Sequence, residues 1–193
     1  MPYTDVPAFL ARLREREAVG GLALEFTILT AARSGETLGA TWGELDLEEA
    51  VWTVPAARMK AAKEHRVPLC SRALEIVQKL AEARTSEFVF PDHRRGRPLS
   101  NMAMEMLLRR MGEDKITVHG FRSAFRDWVG DETSFPREIA EAALAHQITN
   151  EVERAYRRGD AIQKRRQLMD AWEAYCSRSA SQGIEFVSLT EAV

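Results

Sequence analysis

Three short β-like runs, at residues 45–47, 51–54 and 65–69, interrupt a chain whose pattern is otherwise helical. Polar or turn segments separate the runs, which predicts a small antiparallel sheet of three strands. Apolar residues at helical spacing and capping residues predict helices on both sides of the sheet. The predicted helices begin near Pro7 and then cover 22–32, 36–41, 71–83, 100–111, 120–132, 136–145, 151–156 and 161–177, with Gly20-Gly21 breaking the first. The fold class is therefore mainly α with a small three-stranded antiparallel sheet (α+β).

Length and composition predict one compact domain of an ordinary globular protein. The chain has 193 residues, of which 45% are hydrophobic and 29% charged. No apolar run approaches the ~20 residues of a membrane span, and the N-terminus lacks the pattern of a signal peptide. We therefore expect a cytoplasmic protein without membrane contact. Cys70 and Cys176 lack metal-ligand spacing and are interpreted as reduced packing thiols.

The charge balance alone does not indicate a nucleic-acid partner. The chain has 27 basic and 29 acidic residues, whereas an isolated DNA-binding domain is usually basic. Basic residues nevertheless cluster at 94–97 and 154–166, and acidic residues crowd 44–49. Because local potential steers ligands more than net charge does, a basic DNA-binding face stays compatible with this composition.

A set of polar residues supplies the groups needed to cleave a phosphodiester. The run His119-Gly120-Phe121-Arg122 is followed by Leu144-Ala145-His146 and then by Tyr156, and Arg33 lies far upstream. Such cleavage requires a nucleophile, positive charge around the phosphate oxygens and a proton for the leaving oxygen. Each residue alone has an ordinary packing or surface interpretation, so the prediction depends on their occurrence together.

In this order the segments resemble the catalytic domain of the tyrosine recombinases, the phage integrase family, over nearly the whole chain. The runs 118–128 and 155–160 resemble the integrases of prophages and genomic islands most. The resemblance implies a catalytic domain at 1–178 and a tail at 179–193. The tail could pack on a neighbouring subunit, fold back in cis or be disordered. The arm-binding and core-binding domains that precede the catalytic domain in such integrases are expected to be absent from this sequence.

The resemblance also implies a role for each residue. Tyr156 is the expected nucleophile, and Arg33 and Arg122 are expected to bind the scissile phosphate through planar guanidinium groups. His119 would exchange a proton with Tyr156 or hydrogen bond the phosphate, and His146 would hydrogen bond a non-bridging oxygen. The two histidine roles could be exchanged.

A lysine on the turn between the second and third strands is expected to protonate the leaving oxygen. Lys60 matches the family pattern best, and Lys63 remains an alternative. Glu36 is expected to orient the active-site arginine or its helix. His65 and Arg66 are interpreted as an exposed strand pair. The tryptophans Trp42, Trp52, Trp128 and Trp172 are interpreted as core residues.

The leading functional hypothesis is a site-specific DNA recombinase that integrates or excises a prophage or genomic island through a 3′-phosphotyrosine intermediate. It requires no metal, ATP or other cofactor. Its expected partners are double-stranded attachment sites, further copies of the chain in a tetramer on DNA, and accessory DNA-bending or directionality factors. Two alternatives are a type IB topoisomerase and a catalytically inactive DNA-binding relative. The spacing from His146 to Tyr156 favours the recombinase, and the complete residue set argues against the inactive relative.

Overall fold

The predicted sheet is confirmed in a computed structural model that describes residues 1–16, 18–92, 96–146 and 161–178. Its strands are β1 (Leu45–Asp46), β2 (Val51–Val54) and β3 (His65–Pro68), in the order β1-β2-β3. Both pairs are antiparallel, and the register places Leu45 opposite Trp52 and Val54 opposite His65. The loop between β2 and β3 therefore carries the two candidate lysines.

Helices precede and follow this sheet along the chain and make its described part mainly α, as predicted. Their bounds are α1 (Val6–Arg14), α2 (Val19–Thr30), α3 (Ser34–Leu38), α4 (Ser71–Glu82), α5 (Ala103–Arg110), α6 (Gly120–Glu132), α7 (Arg137–Ala143) and α8 (Ile162–Cys176). Short 3-10 turns lie at Tyr3–Asp5, Trp42–Glu44 and Ala56–Arg58. The helix predicted at 151–156, the tail at 179–193 and part of the basic cluster at 94–97 lie outside the described residues.

The predicted break at Gly20-Gly21 is wrong. Helix α1 ends at Arg14, and both glycines lie in the first turn of α2. A Cβ atom at Gly21 would lie 2.7 Å from the carbonyl oxygen of Arg16. Gly21 therefore permits a close approach of the connecting segment and does not break the helix.

Helix α2 forms the centre of the core. Its residues 21–30 are all buried, and it packs against α1, α4, α5 and α8. From α8, the fully buried Trp172 donates its indole N–H to the carbonyl of Ile28 at 3.0 Å. Trp52 and Trp128 are also buried, whereas Trp42 is half-buried against the core. Trp172 thus packs on the last turn of α2, and Arg33 of the candidate site follows this helix.

Two further features bear on the sequence predictions. Cys70 and Cys176 are free thiols, and both are buried. Across the described ranges, no helix has the length and apolar character needed to cross a membrane.

Candidate active site

Arg33 lies at the junction of α2 and α3, as the sequence predicts. Helix α2 ends at Thr30, and Arg33 is the extended N-cap residue of α3. One turn later, the carboxylate of Glu36 accepts two hydrogen bonds from Arg33. The backbone N–H donates at 3.0 Å, and Nη1 of the guanidinium donates at 2.7 Å. Glu36 is only 6% exposed, and Arg33 is 28% exposed. Glu36 therefore fixes both the backbone and the guanidinium of Arg33.

Arg122, in the first turn of α6, is buried with 5% exposure. Its Nη1 donates to the carbonyl of Ala31, and its Nη2 donates to the carbonyl of Leu144 at 2.6 Å. The side chain thus connects the α2–α3 junction to the turn after α7. Burial and the nearby Arg33 charge lower the pKa of Arg122 to about 10, against the opposing effect of Glu36. Arg122 therefore stays charged at neutral pH, close to a second cation.

His146 follows this turn and is held by an acid from α7. Its Nδ1 lies 2.6 Å from a carboxylate oxygen of Glu141, and its side chain is 40% exposed. Burial alone would raise the pKa of Glu141, but the hydrogen bond from His146 and the charge of Arg126 outweigh burial and lower it. The ring of His146 is therefore oriented by an ionised carboxylate.

Lys60 and Lys63 are both exposed on the loop between β2 and β3. The start of this loop is fixed by Arg58, which no sequence motif marks as a site residue. Arg58 donates to the carbonyls of Glu36 and Gly39 and to the carboxylate of Glu44 at 3.0 Å. This loop between β2 and β3, here called the lysine loop, is therefore held against α3, the helix that Arg33 caps.

The structure does not bring every predicted residue into contact. His119 precedes α6 and its carbonyl accepts the Arg122 backbone N–H at 3.1 Å. Its imidazole is exposed and has no hydrogen bond to the described residues. Tyr156 lies outside the described residues, and α8 begins six positions after it.

The interpretation of His65 as an exposed residue is wrong, whereas Arg66 is exposed. The Nε2 of His65 lies 3.2 Å from the carbonyl oxygen of Ala143. Burial and the charge of Arg165 lower the pKa of His65 to about 4, and Arg122 contributes in the same direction. The period of two along β3 could have revealed this position, since it places His65 on the same face as buried Val67.

Arg165 is also placed differently from the sequence expectation. It belongs to the basic cluster at 154–166, yet it is only 2% exposed. Its Nη1 donates to the carbonyl of Arg66 at 2.6 Å. At this position the basic cluster contributes a buried contact between α8 and β3.

Left-handed backbone conformations concentrate beside the candidate residues. Among the described residues other than glycine, φ is positive at Ala31, Ala50, Ala62, Ala145 and Ala161. Ala31 lies two positions before Arg33, Ala62 lies between the two lysines, and Ala145 directly precedes His146. Such conformations cost about 1–3 kcal/mol each and are typically held by the surrounding structure at functional sites.

The same fold occurs in a solved structure of a lambda integrase (75–356) dimer bound to a COC′ core site. The TM-score is 0.57 and the identity 19%, over 75% of this chain and 56% of that chain. The fold is thus that of a tyrosine recombinase catalytic domain. The sequence model of the phage integrase family matches residues 2–161, and the chain therefore belongs to this family.

Curated relatives agree with this assignment. Prophage integrase IntA of Escherichia coli (strain K12) is 35% identical over 85% of this chain and 40% of the relative. The integrase of Enterobacteria phage P4 is 29% identical over 97% of this chain and 47% of the relative. The chain thus spans about half the length of these relatives. The matches support the recombinase hypothesis and lend no support to the topoisomerase or inactive-relative alternatives.

Proposed function

We propose that this chain is the catalytic part of a site-specific DNA recombinase that integrates or excises a prophage or genomic island. The observation that carries the proposal is the pair of guanidinium groups at Arg33 and Arg122. Two cations lie near each other, and the carboxylate of Glu36 is the acid that acts on both. A pair of arginines with one shared acid retains a net positive charge, which suits a phosphate with two exposed oxygens.

In the proposed reaction, the phenol oxygen of Tyr156 attacks the phosphorus and gives up its proton. A 3′-phosphotyrosine bond forms as the bond to the 5′ oxygen breaks. Lys60, or Lys63, gives that oxygen a proton and releases a 5′ hydroxyl. The hydroxyl of a partner strand then attacks the phosphotyrosine and regenerates Tyr156. Because the phosphodiester energy is kept in the covalent intermediate, the cycle requires no ATP.

The arginines act in this reaction through preorganised charge. Arg122 is held by two carbonyls and the Arg33 guanidinium by Glu36, so neither guanidinium has to be ordered when negative charge develops on the phosphate oxygens. His146, oriented by Glu141, is proposed to hydrogen bond a non-bridging oxygen, and His119 to exchange a proton with Tyr156. The positive charge that metal ions supply in other nucleases is supplied here by side chains.

The similar proteins support the proposed partners. IntA and the P4 protein are integrases by name, and the lambda integrase structure is a dimer on a DNA core site. We therefore propose double-stranded attachment sites as substrate and a tetramer of two such pairs during strand exchange. Accessory DNA-bending or directionality factors and exchange of the tail at 179–193 belong to the same proposal. The site of action would be the bacterial cytoplasm, where such DNA is found.

The test uses nicked duplexes that span the ends of the parent element, incubated with the chain in the presence of EDTA. A denaturation-resistant adduct on the 3′ phosphate is expected for the wild type and should be lost in Tyr156→Phe. Tyr3→Phe makes the same chemical change at another tyrosine and should keep the adduct. An adduct that persists in Tyr156→Phe, or that requires a divalent metal, contradicts the proposal.

A further inference from the structure

The first residue of β3 contacts the turn that precedes His146. From β3, His65 reaches the carbonyl of Ala143, the last residue of α7, at 3.2 Å. A carbonyl oxygen only accepts hydrogen bonds, so the proton of this bond belongs to Nε2 of the imidazole. Two segments that are 78 positions apart are therefore linked by one side chain.

A second donor holds the next carbonyl of the same turn. Arg122 donates to Leu144 at 2.6 Å, so His65 and Arg122 bind successive carbonyls of one turn. Ala145 then takes a left-handed conformation, with φ of 50°, immediately before His146. Since a left-handed alanine is disfavoured on its own, contacts on both preceding carbonyls help to maintain this path.

His65 is also the residue at which the lysine loop ends. Arg58 fixes the start of this loop against α3, and β3 begins at His65 after the loop has passed Lys60 and Lys63. The bond from His65 to Ala143 is thus made at the second end of the loop. Both ends of the lysine loop are held by side chains that reach another part of the site.

We propose that His65 is a positioning residue that sets the distance between the lysine loop and the His146 turn through its Nε2–H bond to Ala143. This inference rests on the proposed function of the two segments. The low pKa of His65, about 4, means that the imidazole is neutral at physiological pH. A neutral donor holds the turn without adding a further positive charge beside Arg122 and Arg165.

The test compares His65→Gln with His65→Leu in the full chain. The Gln amide keeps a donor near the position of Nε2, whereas Leu removes the donor and keeps an apolar side chain. Amide hydrogen exchange over 141–146 should become about two- to tenfold faster in His65→Leu and stay near wild type in His65→Gln. Adduct formation on nicked duplexes should slow about 10- to 100-fold in His65→Leu, with unchanged DNA affinity, and recover in His65→Gln.

Glu64→Leu places the same leucine at the neighbouring exposed position and should neither accelerate exchange over 141–146 nor slow cleavage. If His65→Leu cleaves like the wild type, or if His65→Gln is as slow as His65→Leu, the positioning role is refuted. Loss of the proposed function would look different. The wild type would then form no adduct, while the exchange rates alone would still support or overturn the contact of His65 with the turn.

Discussion

Glu36→Gln should show whether the two arginines of the candidate site form a binding site for an anion. The wild-type carboxylate accepts two hydrogen bonds from Arg33, and its charge acts on Arg122. Glutamine keeps one acceptor oxygen in nearly the same shape but removes the negative charge. The substitution therefore leaves two neighbouring guanidinium groups without their shared counter-charge.

The magnitude follows from those contacts. Hydrogen bonds to charged groups contribute about 1.5–3 kcal/mol each, and glutamine loses one of the two and weakens the other. Arg33 is 28% exposed, so water screens part of the loss. We expect about 1–2 kcal/mol of lost stability, which lowers the Tm of a domain of this size by about 2–8 °C. An anion bound between the arginines should restore part of this loss.

The assay is thermal unfolding in chloride and in sulfate at equal ionic strength. Glu75→Gln is the matched control, because Glu75 also lies three residues after an arginine, Arg72, but is 62% exposed. Exposed pairs contribute about 0–1 kcal/mol, so the control should lose about 4 °C or less and respond to sulfate like the wild type. Sulfate should reduce the difference in Tm between Glu36→Gln and the wild type. If Glu36→Gln is no less stable than Glu75→Gln, or if sulfate leaves its Tm difference from the wild type unchanged, an anion site between the two arginines is refuted.

The two arginines, His65 and the two cysteines each give a further testable prediction. Arg33→Ala and Arg122→Ala should still bind DNA but form the adduct on the order of 10²–10³ more slowly, and near-normal cleavage by either variant would remove that arginine from the site. Because the pKa of His65 is about 4 when folded and 6.5 when unfolded, its neutral form stabilises the fold fully above about pH 6.5, and this contribution is lost as the pH falls towards 4. Urea unfolding at about pH 7 and about pH 5 should therefore show a smaller loss in His65→Gln than in the wild type. Burial raises the pKa of Cys70 to about 12 and raises that of Cys176, so both thiols should react with a disulfide reagent at about pH 8 only after unfolding. Rapid labelling of the native chain would contradict this.

The sequence predicted the fold class because its periodicities are clear. The three strands occur where short apolar runs alternate with turn segments, and the amphipathic helices follow their apolar stripes. Element ends were less predictable, since tertiary contacts decide them. Helix α3 stops at Leu38, earlier than predicted, and Thr41 is then paired with Phe88 across an isolated bridge. The role of Gly21 is not predictable from the sequence, because its close approach to Arg16 exists only in the folded chain.

The candidate site was predictable as a set of residue types and less so as a set of contacts. Arg33, Arg122 and His146 could be named from motifs, but the carbonyls that hold Arg122 carry no signal in the sequence. Arg58 and His65 were missed because each looks like an ordinary loop or strand residue. Their importance lies in partners that are distant along the chain, such as Ala143 for His65.

The way Arg122 is held has a consequence for how freely its surroundings can vary. Both of its acceptors, at Ala31 and Leu144, are main-chain oxygens. Exchanging the side chain at either position leaves an acceptor in place, provided the backbone keeps its path. At position 31, where φ is 50°, glycine or asparagine fits that path and proline cannot. Substitutions of the apolar side chains around Arg122, whether natural or engineered, should therefore be tolerated. The guanidinium keeps its position unless a substitution changes the backbone conformation.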